Sequence, residues 1–333
     1  MAQAPEISVH IVAYRSCDTI GACLAALEAQ TVRPGEVLVL ENGSPEGERV
    51  VASDLPDGVR FVDSETNLGF AAGNNRLVEQ SAGRWLVFLN PDAFPRPDWI
   101  EQLQAAIARY PDIALFGSTQ YSAERPDRLD GAGDVYHAAG LAYRAGYQRP
   151  AALLPGEGEV FGPCGAAAMV RRDVFETLGG FDESFFCYNE DVDLAFRARL
   201  LGHRAVQLRD AAVDHMGYAS SGRRSEFATY HGVRNRVWVF ARDMPGWLFP
   251  ALLPVHAAAN LALWIAAARQ GQFTLYGRAL RDALADWPRI MRERRALQQA
   301  RTVRPSRFAR MMCWNSRALL TREPDIRPLS DAG

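Results

Sequence analysis

Three polar sites in this sequence have residue types suited to chemistry. The first is Asn90-Pro91-Asp92, which follows the apolar run RWLVFL, so the carboxylate of Asp92 projects from a predicted strand end. Magnesium and manganese favour such oxygen ligands. The second is the adjacent pair Glu190 and Asp191 at the start of a predicted helix, and the third is His215, which follows a short predicted strand within a Gly- and Ser-rich loop. Each also has an ordinary explanation when taken alone. Asn-Pro-Asp is a good turn, acidic residues complement the positive end of a helix, and a lone histidine is commonly structural. Two further polar turns, Tyr14-Arg15-Ser16 and Glu41-Asn42-Gly43-Ser44, also follow apolar runs.

The elements expected to position these residues are short apolar runs rich in β-branched residues. They begin at Ile7, Glu36, Val59, Arg84 and Asp112 and read as buried strands. Helical patterns lie between them: Thr19 to Gln30 behind a Ser16 or Asp18 cap, Phe70 to Ala82, and Pro97 to Tyr110. Alternation of this kind predicts an α/β fold with a doubly wound, mostly parallel sheet, in which ligands bind beyond the carboxyl ends of the strands. That is where the polar turns fall. Residues 118 to 159, irregular and rich in Gly, Pro and Tyr, read as an inserted, mobile, substrate-covering segment. GAAAMVRRDVF then reads as strand into helix, Asn189 to Leu201 as a helix, and Val206 and Val213 as short strands.

Composition narrows the chemistry. The 333 residues, 48% of them hydrophobic, suffice for one large core and a helical appendage. A net charge of −2 gives no reason to expect nucleic acid. All basic residues other than histidine are arginine, which excludes a phosphate-loop lysine, a Schiff-base lysine and a lysine general base. The five cysteines are scattered without a C-x-x-C pair, and the N-terminus lacks a basic segment followed by an apolar one, so a reducing cytosol is expected. Gly69 and Gly73 do not have the spacing of a dinucleotide fingerprint.

Taken together, VLENGSPEG, NLGFAAGNN, FLNPDA, GGFDESFFCYNEDVDLAFRARLLG and the later His215 resemble the family-two inverting glycosyltransferases of GT-A fold, and their rhamnosyltransferase-like branch in particular. The resemblance covers about residues 7 to 240. It implies that Asp92, with Asn90 where the family more often has an acid, holds Mg²⁺ or Mn²⁺ bridging the donor diphosphate, with His215 as a further metal contact. It also implies that Tyr14 and Arg15 touch the nucleotide, that Glu41 touches the base, and that the loop from Asn67 through Gly69 to Asn74 closes over ribose and phosphate. Asp191 is then the general base, with Glu190 as the alternative. Arg223 and Arg224 are candidate phosphate contacts, or plain surface charge.

The activity so implied is transfer of a sugar, rhamnose in that branch, from a dTDP- or UDP-sugar to a glycan or lipid-linked acceptor. A non-catalytic scaffold of a glycan assembly complex is the rival. Sugar nucleotidyltransferases share the architecture but rely on lysines absent here.

Residues 1–224 are expected to form the catalytic domain, 225–311 a helical region and 312–333 a tail. No charge occurs between Asp243 and Arg269, yet Pro254 leaves only fourteen residues before Arg269, short for a membrane span. Eleven arginines from Arg269 to Arg310, mixed with aromatics, suit an anionic membrane surface. Peripheral contact at the inner face of the cytoplasmic membrane is therefore the expectation, with a packed helical subdomain and a true span as alternatives.

Overall fold

The computed structural model describes residues 6–217 and 225–329. Four of the predicted apolar runs become β1 (Ile7–Ala13), β2 (Glu36–Asn42), β3 (Val59–Ser64) and β4 (Trp85–Leu89), parallel to one another in the order β4-β1-β2-β3. Helices α1 (Cys17–Glu28) and α2 (Gly69–Glu79) return the chain between them. Val9 and Ile11 of β1 enter one apolar cluster with α1, whereas Leu38 and Leu40 of β2 enter another with Leu77 of α2. The sheet is thus covered on both faces, as doubly wound folds require. Buried His10 on β1 has no hydrogen-bond partner among the described residues, and burial, aided by Arg172, lowers its pKa to about 3. It is a neutral core residue.

Beyond β4 come β5 (Ala93–Pro95), α3 (Trp99–Arg109) and β6 (Leu115–Ser122), then β7 (Leu129–Gly131), β8 (Asp134–His137), β9 (Leu141–Arg144) and β10 (Gly158–Val160). The segment expected to be a mobile cover is therefore structured: Leu129, Ala132, Val135, Tyr136, Leu141 and Tyr143 are all buried. Its irregular pattern reflects strands of three or four residues joined by turns, with Gly133, Gly140 and Gly146 at positive φ. β11 (Ala167–Arg171) runs antiparallel between β4 and β6, and α4 (Arg172–Thr177) follows it. After α5 (Glu190–Leu200), the two short strands expected near Val206 and Val213 form one, β12 (Ala205–His215), parallel to β6 with a register shift between Leu208 and Ala212. The exposed Arg209 and Asp210 at that shift break the apolar pattern into two pieces. The sheet runs in the order β10-β12-β6-β11-β4-β1-β2-β3, with β5 added on β12 and β7 on β6, and is mixed but mostly parallel.

The rest is helical: α6 (Glu226–Asp243), α7 (Leu248–Ala268), α8 (Phe273–Ala285), α9 (Trp287–Ala300), α10 (Pro305–Met311) and α11 (Ser316–Thr321). One apolar cluster holds Phe196 of α5 together with Trp238 of α6, Ile290 of α9 and Phe308 of α10. Packing is therefore continuous across residue 225. α7 runs through Pro254, contrary to the sequence expectation of a break, and its 21 residues extend about 30 Å. Pro250 lies in the first turn, where N–H groups need no partner, so Pro254 alone removes an internal bond. Leu248, Leu252, His256 and Asn260 face the protein, while Leu253, Leu261, Leu263 and Ile265 are exposed. Polar contacts hold the inner face, with His256 Nδ1 2.9 Å from the Ala139 carbonyl and Arg236 donating to Asn260 Oδ1 at 2.8 Å.

Candidate active site

The carboxyl ends of β1, β2 and β4, the start of α5 and the end of β12 converge on a cleft of about 520 Å³. Of the residues singled out in the sequence, Tyr14, Arg15, Asn67, Gly69, Asn90, Asp92, Glu190, Asp191 and His215 line it. Arg15 turns the chain at φ 52°, and its backbone N–H donates to Ser44 Oγ at 2.9 Å, tying the β1 turn to the β2 turn. Arg223 and Arg224 lie outside the described residues.

Asp92 and His215 meet because β5 pairs antiparallel with the end of β12, Ala93 opposite His215, and because Met216 N–H donates to the Asp92 carbonyl at 3.0 Å. The result places His215 Nε2 3.2 Å from Asp92 Oδ1 and 3.4 Å from Asn90 Nδ2. On the other side of the ring, Nδ1 lies 2.7 Å from Asp130 Oδ2, and Asp130 is itself ion-paired with Arg144. Burial opposes a charge on His215, but the hydrogen bonds to Asp130 and Asp92 outweigh it and raise its pKa. This donor set fits a divalent cation: a carboxylate oxygen and an imidazole nitrogen face the same point in the cleft, and a second carboxylate fixes the ring from behind. A cation there would take the place of the proton on Nε2.

Asp191, which lines the same cleft, accepts from Gly165 N–H at Oδ2 and from Val192 N–H at Oδ1, both at 2.8 Å. Burial raises its pKa, and those two hydrogen bonds moderate the rise. Glu190 is 6% exposed and its Oε2 has no partner among the described residues. Burial first, then repulsion from Asp191, pushes its pKa well above the carboxylate range. Asp134 and Cys164 bring ligand atoms within 4.8 Å of an Asp191 oxygen. Burial drives the Cys164 thiol up to about 12, and a soft sulfur donor makes this trio a poorer home for a hard cation than Asp92 and His215.

The turn that presents Asp191 is strained. Phe186, Tyr188 and Asn189 all have positive φ, a conformation non-glycine residues adopt only when their surroundings enforce it. The enforcing residue is Asn235 of α6, fully buried, whose Nδ2 lies 2.9, 2.9 and 2.7 Å from the carbonyls of Phe185, Cys187 and Tyr188. The Phe186 carbonyl in turn accepts from Phe70 N–H at 2.7 Å at the start of α2. Sequence reading missed Asn235, Asp130 and Arg144. None stands in a recognisable motif: Asp130 and Asn235 act through residues distant in the chain, and Arg144 lines the cleft and pairs with Asp130.

Two sequence candidates are not at the cleft surface. Glu41 is buried, with Oε1 accepting from Ser44 N–H at 2.6 Å and Oε2 from Val50 N–H at 2.9 Å, so it braces the loop after β2. Its neighbour Asn42 lines the cleft and holds Leu68 N–H at 2.9 Å and Asn67 Oδ1 at 3.1 Å. Asn74 is buried within α2, donating to the Phe70 carbonyl at 2.9 Å. Gly69 sits at φ 80°, where a Cβ would meet the Phe186 carbonyl oxygen at 2.4 Å, so glycine is required for the two cleft loops to approach.

Known proteins resemble this chain in sequence and in fold. Residues 8–179 match the family described as Glycosyl transferase family 2. The N-acetylglucosaminyl-diphospho-decaprenol L-rhamnosyltransferase of Mycobacterium tuberculosis strain H37Rv is 30% identical over 264 residues, covering 67% of this chain and 80% of its own. Among solved structures, S. aureus TarS 1-349 in complex with UDP-GlcNAc superposes with a TM-score of 0.56 at 17% identity, covering 93% of both chains. GalNAc-T7 with UDP, GalNAc and Mn²⁺ also gives 0.56, at 15% identity, covering 73% of this chain and 48% of that one. At those identities the structural likeness speaks for the GT-A fold, while the family match takes in the ends of β1, β2 and β4 that contribute to the cleft. On that match, and on a relative at 30% identity over two thirds of its length, the chain belongs to glycosyl transferase family 2.

Proposed function

We propose that the protein is a divalent-metal-dependent inverting glycosyltransferase that moves a sugar, rhamnose by preference, from a dTDP- or UDP-sugar to a hydroxyl of a glycan or lipid-linked acceptor. The observation that carries this reading is that Asp191 and the Asp92–His215 pair line one cleft at the strand ends. In the proposed single displacement the acceptor oxygen attacks the anomeric carbon and its proton passes to the Asp191 carboxylate. The bond to the donor diphosphate breaks, and its electron pair leaves with the diphosphate. Asp92 and His215 would hold Mg²⁺ or Mn²⁺, which when bound supplies Lewis-acid charge to the departing diphosphate. Burial and the neighbouring Asp191 raise the Glu190 pKa, which disfavours a second negative charge beside the base. The relative's decaprenol-linked substrate favours a lipid-linked acceptor. Purified protein is expected to release nucleoside diphosphate from one of dTDP-rhamnose, UDP-hexoses and GDP-mannose when acceptor and Mn²⁺ are present. Full activity in excess EDTA would refute the metal dependence.

Asp130 acts through His215 as a positioning residue. Asp130→Asn is expected to weaken Mn²⁺ binding about 10- to 100-fold, measured by direct titration, because the ring loses its charged orienting partner. An unchanged titration would return Asp130 to a purely structural role.

The proposed location is the cytoplasmic face of the cytoplasmic membrane, with α7 lying along its surface. Among the described residues α7 is the one helix long and apolar enough to cross a bilayer, with a mean hydropathy of 1.6. Its inner face is pinned to the protein by His256 and Asn260, which favours in-plane contact through the exposed outer face over a span. The double variant Leu261→Glu/Ile265→Glu is expected to partition at least about tenfold less onto anionic vesicles, since each side chain gives roughly 1.5–3 kcal/mol when buried in apolar surroundings. Unchanged partitioning would remove α7 from the membrane surface.

A further inference from the structure

A second and larger cavity, about 860 Å³, lies at the far end of α5 and β12 from the catalytic cleft, and the two share no lining residue. β12 connects them: Arg204, just before its start, lines this cavity and His215 at its end lines the cleft, roughly 35 Å away at the usual rise of a strand.

Its walls are strongly cationic. Six arginines line it, Arg199, Arg204, Arg304, Arg307, Arg310 and Arg327, against two carboxylates, Glu159 and Asp325. Three of the six have structural duties. Arg199 and Arg204 share Glu159, at 2.8 and 2.9 Å, and Arg327 pairs with Asp325. Glu159 therefore neutralises only one of its two partners. The other three, Arg304, Arg307 and Arg310, are exposed and have no ion pair or side-chain hydrogen bond among the described residues. They stand three residues apart at the start of α10 and along it, a spacing that places them on one face. Like charges so spaced repel one another, and no acid on the helix relieves them. The cavity thus carries a surplus of four positive charges, with the hydroxyl of Ser306 also on its wall.

We propose that this cavity is a binding site for a phosphate-bearing polyanion, gripped by Arg304, Arg307 and Arg310. Guanidinium forks match phosphate oxygens bidentately, and a concave wall with several of them suits a group of charge two or more better than a lone carboxylate. Two sources share that chemistry: a soluble diphosphate, or an anionic phospholipid headgroup at the bilayer surface. The site is independent of the glycosyltransferase reading, because it uses none of that cleft's residues.

The test compares the wild-type protein with the variant Arg304→Gln/Arg307→Gln/Arg310→Gln. Inorganic pyrophosphate is titrated calorimetrically in EDTA, and vesicles of phosphatidylglycerol and of phosphatidylcholine are tested by sedimentation. Saturable pyrophosphate binding that weakens at least about tenfold in the variant supports the site with a soluble occupant, since each lost charge-assisted contact is substantial. Weakening of at least about tenfold for phosphatidylglycerol vesicles alone, with phosphatidylcholine unchanged, supports it with a headgroup occupant. Donor turnover should be unaffected in either case. The substituted side chains are exposed, and Arg307→Gln alone, expected to weaken binding about threefold, guards against a folding artefact. If neither probe binds the wild type saturably, or both bind the triple variant as tightly, the proposal is overturned.

Discussion

Asp191→Asn is expected to lower kcat about 10²- to 10⁴-fold while leaving donor Kd within about twofold, because it removes proton-accepting capacity and little else. Asparagine keeps the volume, and its carbonyl oxygen can still accept one of the two N–H donors, Gly165 or Val192, that orient the native carboxylate. The pH profile should carry the same signature. A base works only when deprotonated, and burial raises the Asp191 pKa, so wild-type kcat should fall with decreasing pH at a higher value than an ordinary aspartate, near 4, would give. Glu190→Gln replaces a carboxyl whose neutral form burial favours and should leave kcat within about threefold. The two roles are reversed if Glu190→Gln abolishes turnover and Asp191→Asn does not.

Arg242→Leu is expected to destabilise the protein by about 3–5 kcal/mol at pH 8, measured by denaturant unfolding. Arg242 on α6 is 5% exposed and reaches Asp193 of α5, Asp182, Asp243 at 2.9 Å and Glu293 at 3.3 Å, so it joins the helix that carries Asp191 to the C-terminal helices. Its removal leaves Asp193 to Arg197, at 2.7 Å, and strands the fully buried Asp243. The loss should depend on pH with a defined sign. Burial raises the Asp243 pKa to about 6 even beside Arg242, so folding already takes up a proton below that pH. Without Arg242 the folded-state pKa rises further, and the difference between variant and wild type therefore grows above pH 6 and shrinks toward pH 5. A loss under about 1 kcal/mol at pH 8 would show that the network does not hold α5 in place.

The parallel half of the sheet was legible because β1 to β4 are buried, β-branched runs separated by good helix patterns. The positions of Asp92, Asp191 and His215 at element ends followed from it. Side-chain direction at a strand end did not. Glu41 and Asn42 are consecutive on β2 and so point to opposite faces, and it is Asn42, not Glu41, that reaches the cleft. Residues 118–159 were illegible for a different reason, since strands of three or four residues are too short to display a period. Asp130 was lost with them, although it lies 2.7 Å from His215, 85 positions further along the chain. Asn235 presents the same difficulty from within a helix, because nothing local distinguishes a buried asparagine that clamps three distant carbonyls. α7 was misjudged at Pro254, where tertiary packing of its inner face outweighs one missing hydrogen bond.

The central claim is single displacement with a base on the acceptor side, and the anomeric configuration of the product tests it most directly. With the donor that turns over best, the newly formed glycosidic bond is examined by proton NMR before any further processing. Attack on the face opposite the diphosphate, with Asp191 taking the acceptor proton, predicts a linkage of inverted configuration relative to the donor. A linkage of retained configuration would contradict the account.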